Sequence, residues 1–163
     1  MLRIFTFLFT GIALLVPMSL VLAADKPRDR HVGYYYPKPQ IREAHVSKMP
    51  VAPSATPRSR AAFAVGVALQ QSRRQFAPPY HLFVKGATKE KLIIIATETG
   101  RYSTGYRLRA LLAAMTSEAR GTELFNRAPN PENLTFLDFC KLMGFRRVTI
   151  SDGDRVAIQI DIK

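Results

Sequence analysis

The sequence predicts an α+β fold: a four-stranded antiparallel sheet built from two hairpins and covered on one face by about three helices. Three observations carry that expectation. The strand-like runs "YHLFVKG" and "EKLIIIAT" are joined by a short polar loop, Gly86 to Lys89, of hairpin length. Two further alternating runs flank Asp152-Gly153, a dipeptide suited to the positive φ of a tight hairpin turn. Between these pairs, apolar residues recur at three- and four-residue steps bounded by capping residues, which is a helical period. Strands arriving as hairpins, with helices grouped between them, favour an antiparallel sheet with one covered face.

In chain order, residues 1–23 come first. Arg3, an apolar run from Ile4 to Val16, Pro17 and the small residues Ala23 and Ala24 give the charged, apolar and cleavage layout of a secretory signal peptide. Cleavage is expected near Ala23 or Ala24, leaving an exported, periplasmic or secreted chain with no membrane span. The alternative is an inner-membrane anchor formed by residues 4–23, since that stretch approaches the roughly 20 residues that cross a bilayer.

Residues 24–57 hold six of the eleven prolines and six basic residues, with little apolar period. Such a segment favours extended backbone without a core, a linker or an arm. "GYYYPKPQ" within it suits an arm laid on the domain or a recognition peptide. His31 and His45 have no second ligand at useful spacing, so no metal site is expected.

Residues 58–163 form the expected α+β domain. Its first helix begins in "TPRSRAAFAVGVALQQSRRQF", where Thr56 caps, Pro57 fits the first turn, and Ala61, Val65, Leu69, Ser72 and Phe76 make the stripe. The next runs over 104–120, with Leu108, Leu111, Leu112, Met115 and Ala119 on one side and Gly121 at its end. The third starts at Asn130 and Pro131 and stops at Gly144. In the last strand, Val156, Ile158, Ile160 and Ile162 face one way, and Ala157, Gln159 and Asp161 the other.

The formal charge is +12, and 16 of the 24 basic residues are arginine, so an anionic partner is favoured. Export moves that expectation from nucleic acid to anionic envelope components. Cys140 is the only cysteine, which excludes an internal disulfide and suits a small buried apolar residue.

"GRYSTGYR", residues 100–107, is the one stretch resembling a phosphate-binding loop. Such a loop needs a lysine for the outer phosphates and then a Ser or Thr for magnesium; Tyr106 and Arg107 stand there instead. The preceding "KLIII" also pairs with "HLFVK" in the expected hairpin, whereas that loop follows a parallel strand. What the residues support is a simple anion site without metal, from Arg101, Arg107 and a Ser103 or Thr104 hydroxyl at a helix start. No catalytic constellation and no cofactor motif is present in the sequence.

"APPYHLFVKG", "EKLIIIATETGRYSTGYRLRALLAAMTSEAR" and "FLDFCKLMGFRRVTISDGDRVAIQI" resemble a family of small bacterial exported proteins. Many of them carry the name molybdopterin-guanine dinucleotide biosynthesis protein A. The resemblance runs from about Tyr34 to the C-terminus and is densest from Ala77. That name implies a cytosolic nucleotidyltransferase using GTP and magnesium, with a glycine-rich loop running into Ser-x-Arg-x-Gly and a lysine. Gly100 to Arg107 does not match that motif, so the resemblance assigns no catalytic residue here. The expected function is a non-enzymatic envelope protein binding an anionic surface or a protein partner; the nucleotidyltransferase is the alternative.

Overall fold

The computed structural model describes residues 35–98 and 100–163; the expected signal peptide and His31 lie outside the described residues. In order, the elements are β1 (Ile41–His45), α1 (Pro57–Ser72), β2 (Tyr80–Lys85), β3 (Lys91–Ala96), α2 (Gly105–Arg120), α3 (Glu123–Asn126), a 3-10 turn (Pro131–Asn133), α4 (Phe136–Leu142), β4 (Arg147–Ser151) and β5 (Ala157–Ile162).

The class is α+β, but the sheet departs from the four antiparallel strands expected. Among the described residues it has five strands in the order β1-β5-β4-β3-β2 and is mixed. Both hairpins form, with Tyr80 opposite Ala96 in the first and Ser151 opposite Ala157 in the second. They join through β3 and β4, which run parallel with Leu92 beside Val148. The reason is the crossover: α2, α3 and α4 carry the chain back to the end from which β3 began, so β4 starts in the same direction. The fifth strand comes from the proline-rich segment, where Ile41–His45 adds to β5 in parallel. Five residues between prolines are too few to show a period.

Among the described residues the helices number four with the short α3, rather than about three. Thr56 caps α1 with Ser59 in a reciprocal box, but the helix turns the opposite side inward from the one its stripe suggested. Val65 and Leu69 are more than half exposed, while Phe63 and Val67 pack on the core. Both sides of α1 are apolar, so period alone could not choose, and bulky Phe63 takes the interior against Phe139 at 5.2 Å. The expected helix from Asn130 to Gly144 is broken. Asn130 sits at φ 51° without a capping bond, and α4 starts only after Thr135, whose side chain accepts from Asp138 N. Gly144, at φ 75°, follows the end of α4 in the left-handed region that glycine adopts most readily.

The main core lies between the helices and one sheet face, where Leu92, Ile94, Val148, Ile150, Ile158 and Ile160 meet α2 and α4. All five stripe residues of α2 are buried. Each large side chain so removed from water contributes about 1.5–3 kcal/mol. The second face is covered by the arm: Tyr36 packs with Ile93 and Ala157, and Tyr35 lies 5.1 Å from Phe83 while accepting from Lys85 Nζ at 2.8 Å.

Candidate functional site

The turn after β3 is built around the start of α2. Thr104 has extended backbone, and its Oγ1 accepts from Arg107 N at 3.3 Å, capping the helix. Ser103 Oγ donates to Gly100 O at 3.3 Å, and Arg107 Nη1 donates to the same carbonyl at 3.1 Å. Arg101 lies 3.5 Å from the Glu98 carboxylate and 5.5 Å from the centroid of the Tyr102 ring. Arg101 and Arg107 line one open cleft of about 490 Å³ with Tyr102, Ala110 and Ala114. Ser103 and Thr104 are not among its lining residues; their hydroxyls serve the turn. Of the four residues expected at an anion site, two converge on a cavity.

The glycines have different reasons. A Cβ on Gly105 would fall 2.9 Å from Ile41 Cδ1, so this glycine lets α2 approach β1. A Cβ on Gly100 would meet nothing within 4 Å. The need for glycine at 105 is thus a packing need. The topological objection, however, does not hold. β3 is a hairpin strand and also a parallel partner of β4, so the turn opens at the carboxyl end of a parallel strand, where open α/β sheets bind ligands.

Further along α2 lies a second cleft, of about 300 Å³, which the sequence did not disclose. Leu112, Ala113, Phe136 and Leu137 supply apolar walls, with His45 and the Glu43–Arg109 ion pair on its β1 side. His45 Nε2 lies 3.0 Å from Asp138 Oδ1, and Ser47 Oγ donates to the same oxygen at 2.7 Å. The other carboxylate oxygen accepts from Thr135 N at 2.9 Å and Thr135 Oγ1 at 2.7 Å. Burial alone would raise the Asp138 pKa, but the bonds from Ser47, His45 and Thr135 outweigh it and hold the carboxyl at about 2. With a carboxylate as acceptor, His45 Nε2–H is the donor of this bond.

This network is not a hydrolytic relay. The Ser47 hydroxyl is committed to the carboxylate instead of the imidazole, so no nucleophile is activated. Its evident work is to tie the end of β1 to the first turn of α4. His45 and Asp138 are 93 residues apart, and no local spacing relates them. The Thr135-x-x-Asp138 capping pattern was the one legible signal.

Among the described residues there is no group of three or more side chains placed to hold a metal ion. Cys140 is fully buried, and that burial pushes its thiol pKa well up, away from the reactive thiolate. No protein-family model, curated protein or solved structure matches the chain.

Proposed function

We propose that this is an exported, non-enzymatic envelope protein that binds an anionic component through the Arg101–Arg107 cleft. The observation carrying the reading is that these two guanidinium groups, six residues apart, line one cavity at the start of α2. The N–H groups of the first turn of α2 add nothing here, since Arg107 N is taken by the Thr104 hydroxyl and the other α2 residues of the cleft, Ala110 and Ala114, lie along the side of the helix. Glu98 partly offsets Arg101, and both side chains are more than half exposed. Binding is therefore weak, electrostatic and reduced by salt. The excess of basic over acidic residues, and the signal-like N-terminus that puts them in the envelope, support the same reading.

One observation favours a second reading, the nucleotidyltransferase implied by the family resemblance: the turn follows a strand with a parallel neighbour. Against it, Tyr106 stands where the phosphate-binding lysine belongs and is 81% exposed, and Arg107 offers no hydroxyl to magnesium. Titration with phosphate and with GTP, each with and without magnesium, separates the two. The expected result is metal-independent binding of both that disappears in the Arg101→Ala, Arg107→Ala double variant. Tight GTP binding that requires magnesium establishes the second reading and removes the first. Absence of binding by either ligand rejects both.

A further inference from the structure

Among the described residues, α1 and the segment just after it expose three large apolar side chains. From Ala61 to Ser72 the chain has twelve consecutive residues without a charge, in a protein that is 22% charged overall. Phe63 and Val67, partly buried against the core, account for one side of that stretch. The other side presents Val65 at 59% exposure and Leu69 at 56%, and Phe76 follows the helix at 80%. A lone exposed apolar residue is ordinary; three large ones within twelve residues, two of them one helical turn apart, are more than scatter. The outer side of α1 has basic ends. Arg58, Val65, Leu69 and Arg73 recur at helical spacing on that side, both arginines are exposed, and the helix contains no carboxylate.

We propose that α1 is a membrane-surface helix, seated with Val65, Leu69 and Phe76 in the interface of an anionic phospholipid bilayer and with Arg58 and Arg73 among its phosphates. α1 is apolar on both sides. With the inner side held by the core, the outer side and its basic ends are what a bilayer interface would meet, and the 16 residues of the helix, about 24 Å long, lie flat instead of crossing. No helix among the described residues is long and apolar enough to cross. The charge pattern selects the occupant. A second copy of this chain would bring its own α1 arginines and a strongly basic surface against these, whereas a bilayer rich in phosphatidylglycerol supplies the complementary charge. The inference stands on α1 and borrows only the envelope setting from the proposed function; it does not need the α2 cleft.

The protein contains no tryptophan, so a Leu69→Trp variant of the full chain gives a background-free reporter. With vesicles of phosphatidylglycerol and phosphatidylcholine, its emission should shift to the blue, while a Val46→Trp variant, altered at a residue 75% exposed at the opposite sheet edge, should not shift. Vesicle co-sedimentation of the Val65→Ser, Leu69→Ser, Phe76→Ser triple variant should fall by at least about tenfold, the cost of losing several apolar anchors. Arg58→Glu with Arg73→Glu should abolish the preference for anionic over pure phosphatidylcholine vesicles. All five side chains are exposed, and an unchanged circular dichroism spectrum establishes folding. The Arg101→Ala, Arg107→Ala variant should sediment as before, and the triple variant should still bind phosphate, so failure of one proposal is distinguishable from failure of the other. Unchanged sedimentation of the triple variant overturns the inference, since the exposed apolar side chains of α1 would then contribute nothing to membrane binding. Blue-shifted emission from the Leu69→Trp variant before vesicles are added also overturns it, because another part of the chain or a second copy already covers the face.

Discussion

Replacing Asp138 with Asn tests the network joining β1 to α4. The wild-type carboxylate is nearly buried, at 13% side-chain exposure, and accepts four hydrogen bonds from His45, Ser47 and Thr135. These lower its pKa from 3.8 to about 2 despite the opposing effect of burial. At 1.36 kcal/mol per pKa unit, the ionised form contributes on the order of 2 kcal/mol to stability. The sign follows from the depressed folded value. Between pH 4 and pH 2 the unfolded chain takes up the proton first, so the contribution is full above about pH 4 and lost as pH falls through about 2. Asn keeps the shape but turns an NH₂ donor toward groups that are themselves donors, adding a cost that does not depend on pH. Urea unfolding of both proteins at pH 5, 4, 3 and 2, below the ordinary range of an imidazole, should show a gap that is nearly constant from 5 to 4. It should then narrow by about 2 kcal/mol toward pH 2. A gap that stays the same over the whole range would refute the reasoning, because the charge would then carry none of the stabilisation.

Two further outcomes follow from buried polar and sulfur groups. Arg60 is only 6% exposed and donates to Ala55 O at 3.2 Å, Met143 O at 3.1 Å and Thr88 O at 2.6 Å, binding the arm, the end of α4 and the β2–β3 loop. Arg60→Met should lower stability in denaturant unfolding by on the order of 3 kcal/mol, and Arg60→Lys should recover little, because a single ammonium cannot reach three dispersed carbonyls. A loss below about 1 kcal/mol would contradict this role. Cys140 should react with a thiol reagent slowly at pH 8 and rapidly in guanidinium chloride, since it is fully buried and its thiol pKa is raised. Fast labelling of the folded protein would show that the site opens.

How much was legible depended on the distance over which each feature is decided. The α2 stripe, its Thr104 cap and both hairpins are local patterns, and the structure contains them all. Thr56 before α1 and Gly144 after α4 are local in the same way. The Arg101–Arg107 pair was readable because both residues sit in one turn. His45 with Asp138 was not, since a contact over 93 residues exists only once β1 has joined the sheet. The inward side of α1 was also undecided, because Phe63 and Val67 compete with Val65 and Leu69 and only the shape of the core chooses between them.

By itself the sequence determined the class of the fold, most element positions, the caps of α1 and α2 and the excess of basic residues, since backbone preference, short-range period and charge act within a few residues. Tertiary structure decided that the two hairpins join as parallel neighbours and that Ile41–His45 becomes a fifth strand. It also decided which side of α1 meets the core and where the two clefts lie. Those outcomes depend on packing surfaces that no single segment possesses. Strand pairing and burial are properties of the assembled sheet, and their free energy appears only when distant parts of the chain meet.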